Sequence, residues 1–325
     1  MIDFRYHLVS IVAIFLALAV GIVLGTTLLQ EPAIELARRT SDELTNANND
    51  LRSELDTLRG REAGNDAFVT ASTPEMVANA LTGQRVLLVE APGASSTVRE
   101  AAQQTLTEAG AEIAGRVTFT DKFLDPKGTG VVDGLVSQLK PANMMFPVTS
   151  TAWDRAATLL AATYVTNDQA QAGTPNATTA DVTGAFETGG LLSTEGEPAK
   201  RSTLAVMIAP ERPYDGETAE TQAGALASLA DGFDIGSKGT VLAGAVPLTA
   251  SPGDVISVVR DDGDISKRVS TVDTLDMPMG RVATVYALRE QLDGRAGQYG
   301  IGKGASLIAP AVTTATPSPT TQSGS

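Results

Sequence analysis

Cysteine is absent from all 325 residues, and histidine occurs once, as His7. The first absence removes disulfides, thiolate nucleophiles and thiolate metal ligands together. The second removes histidine catalysis and histidine metal clusters from everything beyond the first few residues. A basic excess is lacking too: 24 Lys and Arg face 38 Asp and Glu, for a formal charge of −14 spread along the chain. Aromatics make up 4 %, with no basic patch among them, so nucleic acid is excluded as a partner. An acidic chain is not drawn to anionic lipid either. Zero cysteine is compatible with either side of a bacterial membrane.

Long apolar runs are scarce, with one exception. Leu8 to Leu29, LVSIVAIFLALAVGIVLGTTLL, carries no charge over 22 residues. As a helix it rises about 33 Å, enough for a hydrocarbon core of about 30 Å. It reads as a transmembrane anchor (8–29) behind a short leader (1–7) whose only Arg or Lys is Arg5. The alternatives are a buried core helix, or an export signal cleaved after Ala17-Leu18-Ala19. Cleavage there would leave Val20 to Leu29 as an apolar new terminus, which favours retention. Arg5 votes for a cytoplasmic N-terminus, while Arg38 and Arg39 vote against it, so charge alone leaves orientation nearly tied. The Thr/Pro/Ser-rich tail, expected to be disordered over 310–325, suits an envelope location. The expectation is a single-pass protein of the cell membrane with its soluble domain on the outer side.

A heptad pattern follows the anchor over 31–62. Ala37, Leu44, Leu51 and Leu58 fall at d, and Ile34, Ser41, Asn48 and Leu55 at a. Asn at an a position sets register and favours two parallel strands, and Glu54 at g would attract Arg59 at the next e of a partner helix. The seam predicts a parallel homodimer; the alternative is one amphipathic helix packing on its own domain. Gly60 and Gly64 mark the expected end of this stem.

The remainder reads as α/β. A short helix is expected at Pro74–Leu81 and a buried strand at Arg85–Glu90. The capping box Thr97-Val98-Arg99-Glu100 opens a helix that Gly110 stops, and a parallel strand follows at Glu112–Thr118. Helices are expected over Gly130–Leu139 and Thr151–Tyr164, closing a first α/β part (74–165). Residues 166–200, rich in Ala, Gly, Thr and Asn, read as a flexible surface excursion with a short helix around Ala180–Glu187. A second part (201–309) offers strands at Ser202–Ala209 and Thr240–Ala245 around a helix at Thr218–Leu229. It continues with a strand at Asp254–Arg260, a hairpin-type turn at Asp262-Gly263, a short strand at Val269–Val272 and a helix from Pro278 to Leu292. The fold class is α/β with a mostly parallel sheet. Whether the two β-α-β units share one sheet is open.

Four stretches invite a functional reading. The loop Ala91-Pro-Gly-Ala-Ser-Ser96, between strand and helix, is where α/β folds bind anions, yet it lacks the GxGxxG pattern and a capped connection explains it equally well. Gly297 to Gly304, GQYGIGKG, matches seven positions of a phosphate loop, but glycine replaces the magnesium-binding hydroxyl and Pro310 blocks a following helix. A loop that needs positive φ is the better account. Asp261, Asp262, Asp264, Asp273 and Asp276 offer oxygen ligands without an EF-hand spacing, and a turn is favoured. The methionines Met76, Met144, Met145, Met207, Met277 and Met279 could bind Cu(I), yet they form no dense cluster and suit core filling. No catalytic or cofactor-binding residue emerges.

Two blocks carry a resemblance. One is Arg5-Tyr-His7-Leu-Val-Ser10 with Ala13–Ala19 and Gly21–Gly25. The other is Ser270-Thr-Val-Asp273, Gly280-Arg281, Ala287-Leu288 and Tyr299–Ala305. Together they resemble the MctB/SteB family of actinobacterial envelope proteins, labelled copper transporters, over the whole architecture. Gln298 stands where the family pattern carries histidine; if that histidine binds metal, this chain has lost the ligand. The resemblance implies one of two roles. One is copper efflux or homeostasis through an envelope pore. The other is a SteB-like coiled-coil protein that pairs with a SteA-type partner and helps activate a peptidoglycan hydrolase in cell separation. One uncharged helix offers an ion no polar path, and the rest shows no repeated barrel strands. The expected function is therefore a non-enzymatic scaffold or regulator, with copper handling as the alternative. An envelope enzyme using converged carboxylates is a third reading.

Overall fold

The computed structural model describes residues 4–247, 251–306 and 309, with the backbone alone at 27–34 and 37. The chain divides into two units, Met1–Asn65 and Asp66–Ser325. Helix α1 (Phe4–Val77) begins with the apolar run. Phe4–Thr26 spans 23 residues at a mean hydropathy of 2.9 and none of it is buried, so by length and composition it can cross a membrane. The helix does not stop at Gly60 or Gly64 as expected, nor does a separate helix start at Pro74. An internal glycine costs roughly 0.5–1 kcal/mol against alanine but removes no hydrogen bond. Pro74 lies in the last turn, where it removes one. The stop comes at Asn79, whose φ of 59° is left-handed.

Beyond α1, the Asp66–Ser325 unit is built on one sheet. Its elements are β1 (Arg85–Glu90), α2 (Ser96–Glu108), β2 (Glu112–Phe119), α3 (Asp121–Leu124), α4 (Thr129–Leu139), α5 (Ala152–Tyr164), α6 (Thr179–Thr188) and β3 (Leu192–Gly196). There follow β4 (Leu204–Ile208), α7 (Ala219–Gly236), β5 (Gly239–Ala243), α8 (Val255–Asp261), β6 (Ser270–Val272), α9 (Pro278–Leu292) and β7 (Gln298–Tyr299). The strand order is β3-β2-β1-β4-β5-β6-β7, with β3 antiparallel to β2 and the other pairs parallel. Both β-α-β units thus share one sheet. The central strands β1, β4 and β5 are fully buried and largely apolar because both faces of the sheet are covered there. Leu87, Val89, Ala205, Met207 and Leu242 pack under α4 to α8. Val86, Leu88, Leu204, Val206 and Val241 pack under α2, α9 and the end of α1.

Further expectations are corrected. Asp254–Arg260 is not a strand but the region of α8. Its β-branched residues suit a strand, yet the Asp254 carboxylate accepts the Ser257 N–H at 3.2 Å, and Val255, Ile256 and Val259 form one buried helical face. Asp262-Gly263 is no hairpin turn, since Asp262 Oδ1 accepts the N–H groups of Asp264 and Ile265 and opens a single 3₁₀ turn. Helix α2 is not opened by a Thr97–Glu100 capping box. Ser95 is its N-cap, and Glu100 pairs with Arg99 at 2.9 Å. Residues 166–200, read as a surface excursion with a short helix around Ala180–Glu187, hold that helix as α6 and, beyond the expectation, the edge strand β3.

One buried carboxyl opposes this fold at neutral pH. Asp234, in the last turn of α7, accepts the Thr240 N–H at 3.0 Å. Burial pushes its pKa up to about 6; the nearby Asp231 adds to this, while the Thr240 amide and Arg268 oppose it. The folded value lies above the unfolded one near 4. The protonated carboxyl therefore favours folding below about pH 4, and that contribution is lost as pH rises through about 6. Asp234→Asn keeps an acceptor and removes the charge. The variant is expected to be more stable than the parent by about 2 kcal/mol at pH 7.5 and equal to it near pH 4. Urea denaturation followed by the fluorescence of Trp153, the single tryptophan, measures both.

Candidate functional site

Strands β1 and β4 are neighbours, and the helices that follow them leave toward opposite faces of the sheet: α2 to one, α7 to the other. Such a topological switch opens a crevice beyond the C-terminal strand ends, where doubly wound proteins bind ligands. A cavity of about 590 Å³ lies there. Its walls come from four strand-to-helix connections: Ser95 and Val98 after β1, Ile208 to Pro213 after β4, Gly244 to Pro247 after β5, and Asp276 after β6. The rim is tied together. The Glu211 N–H donates to Gly93 O at 2.9 Å, and the Tyr214 hydroxyl donates to Pro92 O at 2.9 Å. Burial raises the Tyr214 pKa, which keeps that hydroxyl a donor. Burial also raises the pKa of the Asp276 carboxyl. Beneath the first turn of α2, Arg99 Nε lies 2.7 Å from Glu90, whose carboxylate also accepts the Thr118 hydroxyl at 2.6 Å. Of this cleft, the sequence pointed to the Ala91–Ser96 loop and, as one of a group of acids, to Asp276. Arg212 and Val246 had no local signal, and the meeting of Asp276 with them depends on strand order.

The glycine-rich loop serves an internal anion. Asp273 Oδ1 accepts the Ile301 N–H at 2.9 Å, and its Oδ2 accepts the Gly302 N–H at 2.9 Å and Arg260 Nη1 at 2.7 Å. Both side chains are almost fully buried, 4 % exposed for Arg260 and 2 % for Asp273. Arg260 also donates to Tyr299 O at 2.7 Å and Lys303 O at 3.0 Å. Gly300 has a φ of 127°, and a Cβ there would lie 1.8 Å from Asp273 Oδ1, so only glycine fits. The loop that resembles a phosphate cradle thus closes on the chain's own carboxylate, its peptide N–H groups forming an anion nest. Gln298 is likewise engaged: its side chain donates to Ser266 O and Val269 O and accepts the Thr271 hydroxyl at 2.6 Å.

The remaining candidates stay apart. Among the described residues no three of His, Cys, Asp and Glu converge as metal ligands. Met207 packs in the core and Met144 against it, as expected, but Met76 and Met145 are exposed. On α1, Leu44, Leu51, Leu55 and Leu58 are 49–66 % exposed, and Ser41 and Asn48 are exposed beside them. Ile34 and Ala37 lie outside the residues whose side chains are described.

An apolar helix of membrane length joined to a doubly wound α/β sheet defines a membrane-associated α/β protein. The sequence matches, over residues 1–310, the family described as "Copper transport outer membrane protein, MctB". Copper transporter MctB of Mycobacterium tuberculosis (strain ATCC 25618 / H37Rv) is 27 % identical over 316 residues, covering 95 % of this chain and 99 % of that protein. Copper transporter MctB of Mycobacterium leprae (strain TN) is 27 % identical over 319 residues with the same coverage. The chain belongs to the MctB family.

The Asp273–Arg260 pair yields a second prediction. Removing one partner strands a buried charge and frees the loop. Asp273→Ala is expected to lower the unfolding free energy by about 3–5 kcal/mol, whereas Arg260→Met with Asp273→Leu restores much of it. Urea denaturation reads the loss, and limited proteolysis within 297–304 reads the release of the loop.

Proposed function

We propose that this protein is a non-enzymatic scaffold or regulator of the cell envelope, anchored by the apolar start of α1 and paired with a second copy through the leucine stripe behind it. The supporting observation is the exposure of Leu44, Leu51, Leu55 and Leu58, at heptad spacing on a helix otherwise polar in that region. Monomeric proteins cover such stripes, and a partner helix presenting the same seam is the simplest cover. Asn48 at the seam selects two parallel strands. Glu54 of one copy meets Arg59 of the other at the flank. A role in cell separation with a SteA-type partner and a peptidoglycan hydrolase follows from the resemblance and extends this reading.

Copper transport is the second reading, favoured by the description of the family and the names of its mycobacterial members. The chain would then handle copper as cargo. Calorimetric titration of the full chain in detergent micelles with Cu(I) and Cu(II) separates the two: tight stoichiometric binding favours transport, and absence of binding leaves the scaffold.

The stripe is tested by Leu44→Lys with Leu51→Lys. Lysine keeps helix propensity, so the helix persists while the seam loses its apolar contacts. Sedimentation of the full chain in micelles is expected to show a dimer for the parent. The variant's dissociation constant should be at least about a hundredfold higher, since each buried leucine contributes roughly 1.5–3 kcal/mol. A variant as dimeric as the parent would sink the proposal.

A further inference from the structure

We infer that the cleft at the topological switch binds a small organic oxyanion, a carboxylate or phosphate ester with an apolar body that also carries a hydroxyl or amino donor. The inference is independent of how α1 associates. Cavity size comes first: about 590 Å³ falls within the range of small-molecule sites, and the position is the one that open parallel sheets use for ligands. The walls are preformed, because hydrogen bonds from Glu211 and Tyr214 fasten the Pro210–Tyr214 segment to the Ala91–Ser95 turn. Val98, Ile208, Pro210, Pro213, Val246 and Pro247 supply apolar surface for the ligand body.

The anionic head follows from Arg212. Among the described residues this arginine has no ion-pair or hydrogen-bond partner, although the chain carries 14 more acids than bases. Arg85, Arg99, Arg116, Arg155, Arg260 and Arg268 are paired with carboxylates; among the described residues Arg289 is unpaired as well, but only Arg212 lines this cavity. An unpaired guanidinium in the wall of a cavity is a recognition group for a planar or tetrahedral oxyanion. Ser95 lines the same cavity, and its hydroxyl makes no capping bond to α2. Glu211 and Asp276 also line the cavity, which disfavours a bare dianion and selects a ligand with a hydrogen-bond donor.

The probes are adenosine 5′-monophosphate for phosphate esters and phenylalanine for carboxylates, each beside an analogue lacking the negative charge, adenosine and phenylalanine amide. Binding to the full chain in micelles is read by calorimetry. One of the two charged probes is expected to saturate a single site, with its uncharged analogue at least tenfold weaker. Arg212→Gln should weaken the charged probe at least tenfold and Arg212→Lys should partly restore it. Arg289→Gln, on the exposed side of α9, should change nothing. Arg212 is exposed, so its variants test recognition without disturbing the core. The inference is overturned if neither charged probe binds, if an uncharged analogue binds as well, or if Arg212→Gln leaves affinity intact. Which probe binds distinguishes phosphate from carboxylate.

Discussion

Strands β1 and β4 pair in parallel, Val86 opposite Leu204, 118 positions apart in the chain. Everything else in the Asp66–Ser325 unit is arranged around that pairing. It joins the two β-α-β units into one sheet and sends α2 and α7 to opposite faces. It also leaves the crevice beyond the strand ends that no local segment contains. The energy behind it is two-sided burial. A strand such as Leu-Ala-Val-Met-Ile, fully buried in β4, is stable only with a helical layer on each face. The β1–β4 pairing lets both layers form around one continuous sheet.

At the other end of the sheet an ion pair does comparable work. Asp273 and Arg260 are buried charges that would be costly alone. Together they hold β6, β7, α8 and the glycine loop, with the peptide N–H groups of Ile301 and Gly302 completing the carboxylate's partners. A sequence resembling a nucleotide cradle is thereby turned inward. The same physics, amide groups converging on an anion, serves the fold in place of a ligand. The open cleft lies instead where Arg212 is unpaired.

Helix α1 divides its labour along its length. Its first turns are apolar on every side, which suits lipid; farther on the apolar residues narrow to one stripe, which suits another helix. On the function proposed above, anchoring by the terminus and pairing through this stripe would let the protein hold partners at the membrane. The MctB family description names copper transport for this architecture, and a transported ion would need a polar path that one uncharged helix does not line by itself.

Local pattern was enough to locate the apolar start of α1 and the elements β1, β2, α5, β4, α7 and α9, whose apolar periods are clear. The capping box of Thr151 and Asp154 and the Pro278 start mark two of these helices. It failed at α8, where β-branched residues favour a strand but tertiary burial of Val255, Ile256 and Val259 favours a helix. It failed again at Gly60 and Gly64, which punctuate a pattern without breaking a hydrogen bond. The amino-acid sequence by itself determined the membrane-length helix, the heptad stripe and the α/β class, since those depend on spacing between near neighbours. Tertiary structure alone decided strand order, the internal use of the glycine loop by Asp273 and the meeting of Ser95, Arg212 and Asp276. Those depend on contacts between residues far apart in the chain, which carry no local signature.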